Sequence, residues 1–596
     1  DVVTKRFYLH IRVCLDHDGK DIPRVTEWFV TAETVYPFGT IAIYPSCKNT
    51  ITNTFPHQSI NAFEEENHLW RKGKLCVDLT LGIRVPEKEP FTVDERLFWN
   101  MQRAVLWLRA AAEERLIKNG DAFELPDFPV SHIQTVFAFQ EDCVSMMIWE
   151  STDERCGIAR IVRRQLSSEQ SIAMIRSFRS IDSQKAIYQP VWGTAIREKN
   201  YENALWIRLK EVPVINNWQV PTNLCQLKQI CTNQGIDLLA ILKSFAPKAR
   251  DGRRHLLLVG FPIPAHIGED SHEMTWQAIE LPALSCGKYT NRVFHSGKRL
   301  SIPQTYGARK GYRPSEAGWW MNDKAKIFLD SMELSWIRSE NWSARTIKGR
   351  GKLANRLANQ RIVMIGLGSL GASIAELLTR AGATQLTCID GNALEMGNLC
   401  RHTLCMTDLY QSKSKLVAKR LTNIDPNIHT TYAERYLDID ETGALVPDLS
   451  SFDIIIDSTG EDQVLALLSA TEWKRKIVFC SSSVGLGAKR LYINIQRTKL
   501  PHFENFLNLV EPYFQKDSND FNLDALPRDG IGCWHPLFPA RADDMWFAAC
   551  TTVKALEAFV QNSTEKGISL IYETQTEDGL FNGLRLIEKQ YEYREN

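Results

Sequence analysis

RIVMIGLGSLGASIAELLTRAGATQLTCIDGNALEMGNLCRH, residues 361–402, decides the fold of the C-terminal part of the chain. An apolar run, RIVMIGL, leads into Gly366, Gly368 and Gly371 in the spacing G-x-G-x-x-G, and these open the helical run SIAELLTRAG. Strand, glycine turn and helix in that order are the context of a phosphate-binding βαβ unit. The glycines permit the tight turn and let a phosphate reach the helix N-terminus, where unpaired N–H groups and the helix dipole favour negative charge. Asp390 closes the next strand, TQLTCID, where a carboxylate accepts hydrogen bonds from a ribose. To this point the pattern suits NAD, FAD and ATP equally.

The residues that follow separate the three. A dinucleotide's pyrophosphate is held by the glycine loop and demands no cation soon after the acidic residue. Here Asn398 and Arg401 in GNLCRH, then Lys413 in DLYQSKSKLVAKRL, supply an amide and two cations. Cations so placed neutralise the β- and γ-phosphates of a triphosphate and help pyrophosphate leave. A nicotinamide oxidoreductase leaves Arg401 and Lys413 idle.

Residues 361–428 resemble the adenylating domain shared by ubiquitin-activating enzymes and the bacterial sulfur-carrier adenylyltransferases of molybdopterin and thiamine synthesis, through the glycines, Asp390, Asn398, Arg401, Lys413 and the NIDP that follows. The resemblance implies that Asp390 holds the ribose of ATP, and that Asn398, Arg401 and Lys413 bind its phosphates together with Mg²⁺. FDIIIDSTGEDQV is similar to the family's D-x-T-D-N region, except that Gly460 stands where the family has its magnesium-associated Asp. Asp457 is then the implied metal ligand, with Glu461 as second choice. GIGCWHPLFPARADDMWFAACTTVKALEAFVQ resembles the family's crossover loop and the helix after it. This makes Cys533 the implied acyl acceptor, with His535 and Arg541 lending the positive potential that favours a thiolate. Cys550, inside the apolar helix, is expected to be packed.

The cysteines number 14 and are scattered, with no C-x-x-C pair, which excludes a zinc ribbon and a disulfide framework. The missing pairs shift weight from the sulfur-carrier branch toward activators that form a thioester.

Near the N-terminus, RFYLHIRVCL and EWFVTAETVY have the composition and spacing of strands. VDERLFWNMQRAVLWLRAAAEERLIKNG reads as an amphipathic helix carrying Leu97, Met101, Val105 and Leu108, with Gly120 as its stop. Between them, FPHQSIN…WRKGKLCVDL resembles the active-site segment of ubiquitin-conjugating enzymes, with Pro56, His57 and Gln58 as the turn and Cys76 as the nucleophile. The family's oxyanion Asn is replaced, so either the Gln58 amide or His57 takes its part. Cys47 in YPSCKN is the competing thiol, ranked below Cys76.

Conjugating-like and activating-like segments in one chain resemble the bacterial fusion enzymes of antiphage CBASS operons. The implied architecture is an α/β multidomain chain. It has an α+β ubiquitin-conjugating-like domain (1–129), a central α/β linker related to an inactive adenylation domain (130–342), and a C-terminal Rossmann-like adenylation domain of ThiF type (343–596). The implied activity is ATP- and Mg²⁺-dependent activation of the C-terminal tail of a ubiquitin-like protein or nucleotidyltransferase (CD-NTase), followed by transfer to Cys533, then to Cys76, then to target amines. A homodimer is implied as well. The alternatives are a sulfur-carrier-type adenylyltransferase, which leaves the first block unexplained, and a non-catalytic scaffold.

At 596 residues the chain is too long for one core. Lys plus Arg and Asp plus Glu both number 71, so bulk charge gives no attraction to nucleic acid or anionic membrane, and neither is expected as a partner. With no long apolar run and no apolar signal core in DVVTKRFYLH, cytoplasm is the expected location.

Overall fold

A computed structural model describes residues 6–63, 68–77, 88–196, 200–286, 315–520, 539–562 and 566–592. Cys533 and His535 lie outside the described residues. The chain divides into two compact units, one of residues 1–190 and 198–343, the other of 191–197 and 344–596. No helix among the described residues is long and apolar enough to cross a membrane.

The first unit starts with a three-stranded antiparallel sheet, Arg6–Cys14, Val25–Glu33 and Ile41–Pro45 in chain order. Helix Glu95–Ala112 belongs to its core, where Trp28, Trp107 and Leu108 lose essentially all contact with water. That helix ends well before Gly120, the expected stop. Glu114 takes a left-handed φ of 52°, and Leu116 turns back into the core.

The same unit contains an eight-stranded sheet of mixed parallel and antiparallel pairs. Strand Val130–Phe139 pairs both with Ser335–Asn341 and with Ser171–Ser180, so the sheet closes on itself. Two segments bond this block to the first: from the loop after strand Glu202–Arg208 the Trp218 amide donates to the Thr54 carbonyl at 3.0 Å, and in the segment leading into the sheet Asp127 accepts from the Ile60 amide at 3.2 Å.

Inside the closed sheet Glu141 is 1% exposed beneath Trp149, Phe178, Trp206 and Trp276. Its oxygens accept from the Trp276 indole (2.8 Å), the Trp149 indole (3.0 Å) and the Ser145 hydroxyl (2.5 Å). Burial pushes the carboxyl up to about 8 from an ordinary value of 4.5, against the pull of those donors. The folded state therefore binds the proton more tightly than the unfolded chain does. Stability from the neutral carboxyl is fully present below pH 4.5 and is lost as the pH rises toward about 8. Glu141→Gln keeps a neutral acceptor for the indoles, and the Ser145 hydroxyl rotates to accept from the new amide. Thermal unfolding followed by tryptophan fluorescence should show the variant gaining on the parent at pH 8 but not at pH 5. An equal difference at both pH values would contradict the assignment.

The second unit is built on one sheet in the order His429–Ala433, Gln385–Ile389, Arg361–Ile365, Ile454–Asp457, Ile477–Val484, Arg490–Thr498, Gly567–Glu577, Leu580–Glu592. The first five strands are parallel and the last three antiparallel. Apolar clusters lie on both faces, as a parallel sheet requires. One includes helices Ser369–Arg380 and Ala542–Asn562, whose Ile374, Leu378, Ala549 and Leu556 are buried. Strand order reverses at Arg361–Ile365, between Gln385–Ile389 and Ile454–Asp457, and a crevice opens there at the carboxyl ends. Residues 191–196 join this unit through Gly193 and Thr194, whose amides donate to Pro426 and Ile428 carbonyls at 3.0 Å. Only glycine fits at 193, since a Cβ there would lie 1.9 Å from the Ile428 oxygen.

Candidate active sites

The crevice of the second unit is a cleft of about 470 Å³ lined by Gly366, Gly368, Asp390, Lys413, Arg435, Tyr436 and Glu461 among others. Its three fingerprint glycines do different work. Gly366 has φ +80°, and a Cβ there would press on Thr459. A Cβ on Gly371 would lie 2.1 Å from the Gly366 carbonyl, so this glycine lets the helix close against the loop. A Cβ on Gly368 would meet nothing within 4 Å, and Gly368 caps helix Ser369–Arg380 without a side chain. That leaves the amides at the helix start without a side-chain acceptor, the arrangement that receives a phosphate.

A contrast follows for two substitutions. Gly371→Ala forces the loop apart, costs on the order of 1–3 kcal/mol and should lower the melting temperature. Gly368→Ala should leave the melting temperature unchanged but abolish the rise that ATP produces, because its methyl occupies the ligand's space. Melting both variants with and without ATP checks the pair.

Asp390 is half-buried and ties the loop to the second strand: its carboxylate accepts from the Leu367 amide and the Asn392 amide, each at 2.7 Å. Lys413, the first residue of helix Lys413–Ile424, is 9% exposed, and its ammonium has no ion-pair partner among the described residues. A nearly buried, unpaired cation beside a glycine loop is a place for an anion.

His402 explains the end of the quoted stretch. It is buried, its Nε2 donates to the Leu367 carbonyl at 2.8 Å, and its Nδ1 accepts from the Leu404 amide at 3.1 Å. Burial, helped by the charges of Lys413 and Arg401, holds the imidazole below its usual value, so it stays neutral and clamps the glycine loop. Arg401 and Asn398 do not line the cleft. Asn398 closes a short turn, its side-chain oxygen accepting from the Glu395 amide at 3.1 Å, and Arg401 is half-buried beside it.

Asp457, the expected metal ligand, lies under the cleft rather than on its wall. It is 3% exposed, and its oxygens accept from the Thr459 amide and hydroxyl and from the Ser481 hydroxyl. Burial raises its carboxyl above the ordinary range. The carboxylates on the wall are Asp390, Asp438 and Glu461, of which Asp390 is already engaged by two loop amides. Gly460 has φ +70° with open space around it. Arg435 and Tyr436 escaped the sequence reading, although position could have found them, because the turn after each parallel strand faces the crevice. Tyr436 donates to Asn392 at 2.6 Å, and its ring leaves no room for a side chain at Gly391.

In the first unit, Cys76 is exposed in a cleft of about 710 Å³ shared with His57, Gln58, Lys74, Glu124 and Asp127. Its amide donates to the His57 carbonyl at 3.0 Å. Gln58 is buried, its amide oxygen accepting from Phe55 and its nitrogen donating to the Gly73 carbonyl, both at 3.1 Å. Its amide is therefore committed to the backbone and is a poor oxyanion donor. His57, with a left-handed φ of 59°, has Nδ1 2.5 Å from a Glu124 oxygen. Cys47 is half-buried, its thiol directed to the His68 carbonyl at 3.3 Å. Cys550 corrects an expectation: it is exposed, because Met545, Ala548, Ala549 and Thr552 form the buried stripe of its helix and position 550 falls outside it.

Comparison with known proteins matches family models to the central block and to the second unit. A family model described as the Cap2 central linker domain matches residues 114–342, and the ThiF family model matches residues 342–559. The chain is 31% identical over 523 residues to the "ATP-dependent ubiquitin transferase-like protein Cap2" of Enterobacter hormaechei, covering 86% of this chain and 82% of that protein. A protein of the same name from Pseudomonas aeruginosa is 32% identical over 112 residues, 18% of this chain and 19% of that one. The molybdopterin-synthase adenylyltransferase of Escherichia coli is 31% identical over 129 residues, 21% of this chain and 50% of that one.

Proposed function

From the premise that the chain belongs to the Cap2 family of ATP-dependent ubiquitin transferase-like proteins, we propose that it activates the C-terminal carboxylate of a protein as an acyl-adenylate and passes the acyl group through Cys533 and Cys76 to target amines. The observation that carries the adenylation step is the nearly buried, unpaired Lys413 beside an uncapped glycine-loop helix. Asp390 orders the loop and accepts from the ribose. The helix amides and Lys413 take the phosphates, and Arg435 adds positive charge at the rim.

Mg²⁺ fits this cleft as a partner of the triphosphate. It is usually held by one or two carboxylates plus phosphate oxygens, and Glu461 and Asp438 supply those carboxylates. No cluster of three metal-ligating side chains exists among the described residues. When bound, Mg²⁺ neutralises phosphate charge and makes pyrophosphate a better leaving group.

In the sequence of steps, the tail carboxylate attacks the α-phosphate, and pyrophosphate departs. The Cys533 thiolate displaces AMP, giving a thioester that retains acyl-transfer potential. Cys76 exchanges for Cys533, and an amine then takes the acyl group from Cys76. The substrate is a ubiquitin-like protein or a nucleotidyltransferase with a flexible tail, and the acting species is a homodimer. Fusion in one chain raises the effective concentration of one thiol at the other toward the millimolar range.

Exchange of labelled pyrophosphate into ATP by the full chain, co-purified with the products of neighbouring genes, tests the first step. Exchange is expected. Its absence would favour a scaffold, and exchange without any thiol-sensitive adduct would favour a simple adenylyltransferase.

A further inference from the structure

The cleft around Cys76 contains a titratable pair that the relay just described does not use. The carbonyl of His57 itself accepts from the Cys76 amide, and both residues line the same cavity. The imidazole is 18% exposed and the Glu124 carboxylate 58% exposed, with 2.5 Å between Nδ1 and Oε2. Among the described residues the imidazole has no other hydrogen bond or ion pair. A carboxylate at Nδ1 keeps a proton on that nitrogen and leaves Nε2 as a free lone pair. The other charged groups on the cavity wall are Lys74, Asp127, Glu89 and Arg96. Glu89 is paired with Arg96 at 2.8 Å, and Asp127 accepts from the Ile60 amide. Glu124 falls within the 1–129 expected for the first block, but the linker model begins at residue 114, so the stretch it matches contributes a residue to the thiol's cleft.

We propose that His57 is the base that takes the proton from the attacking amine at Cys76, and that Glu124, supplied by the linker, is the positioning residue that orients the imidazole. The proposal rests on the reading of Cys76 as the second acyl carrier. In the step, the amine nitrogen attacks the thioester carbonyl carbon, the N–C bond forms and the C–S bond breaks. The electron pair leaves with Sγ of Cys76 as thiolate. The surplus proton on nitrogen passes to Nε2 of His57 and then to water. The linker would thereby complete the conjugating site, which the first block alone leaves without a positioned base.

The test bypasses adenylation. The full chain is loaded by exchange with a synthetic glycine-ended peptide thioester, and discharge of the Cys76 peptide to free lysine is followed by mass spectrometry between pH 6 and 9. In the parent, the rate should bend within this range. His57→Gln should load as the parent does, discharge about a hundredfold more slowly at pH 7, and lose the bend. Glu124→Gln, which alters a half-exposed group with little effect on folding, should load as the parent does and discharge roughly fivefold more slowly, and Glu124→Asp should recover part of that rate. A bend that persists in His57→Gln, or a parental discharge rate in Glu124→Gln, would overturn the dyad while leaving Cys76 as carrier. A Cys76 that takes no acyl group in the parent would overturn both.

Discussion

Lys413→Ala should cut ATP–pyrophosphate exchange by about 10²–10³ without lowering the melting temperature of the ligand-free chain. The side chain is 9% exposed and its ammonium makes no ion pair among the described residues, so the packing lost with its stem is offset by no longer burying an unpaired charge. It does remove the cation that faces the phosphates. The stabilisation that saturating ATP gives the parent should therefore shrink in the variant, because a ligand stabilises only in proportion to its affinity for the folded state. Asp390→Ala should lose exchange as completely for a different reason. Its carboxylate accepts from the Leu367 and Asn392 amides, so its loss also loosens the loop and costs about 1–3 kcal/mol. Arg401→Ala is the informative companion. Arg401 stands off the cleft wall, so a loss equal to that of Lys413→Ala would mean that the turn carrying it closes onto the phosphates when ATP binds.

The order of the two thiols gives the second large effect. A thioester is cleaved by excess small thiol and an amide is not, so gels run with and without reductant separate carriers from products. Cys533→Ala should still form acyl-adenylate, since the anhydride step uses no thiol, yet it should load neither cysteine. Cys76→Ala should accumulate a reductant-sensitive adduct on Cys533 and conjugate no target. Cys47→Ala and Cys550→Ala should match the parent. For Cys550 this holds in stability as well, because its side chain is exposed and fills no space in the core.

The adenylating fold was legible because phosphate binding demands glycines at fixed spacing between a strand and a helix. Gly366, by its positive φ, and Gly371, by the Gly366 carbonyl packed against it, exclude a side chain, while Gly368 keeps the space before the helix open for a ligand. Asp390 and Lys413 were legible because charge soon after that loop has a chemical use. The helix through Leu97, Met101, Val105 and Leu108 was legible from its period, and only its end was misjudged, where Glu114 turns the chain before the glycine does.

What stayed hidden depends on contacts between residues far apart in the chain. Nothing in the local pattern of residues 130–342 says that its first strand pairs with two others and closes the sheet. Glu124 meets His57 only through the packing of one element on another, and Gly193 is a glycine because of a carbonyl at Ile428. Asp457 misled for a related reason: a carboxylate at the end of a strand looks available until the hydroxyls of Thr459 and Ser481 are seen to occupy it. Cys550 misled because an apolar helix still has an outer face.

The relay from an activated carboxylate through Cys533 to Cys76 is tested most directly by replacing the last thiol with an amine. The full-length Cys76→Lys chain, expressed together with the products of neighbouring genes, should retain the acyl group as a reductant-stable amide, and peptide mass spectrometry should find a glycine-ended remnant on the ε-nitrogen at position 76. Adding Asp390→Ala or Cys533→Ala should erase that remnant. An unmodified position 76 in a chain that still conjugates its targets, or a remnant that survives Cys533→Ala, would contradict the relay.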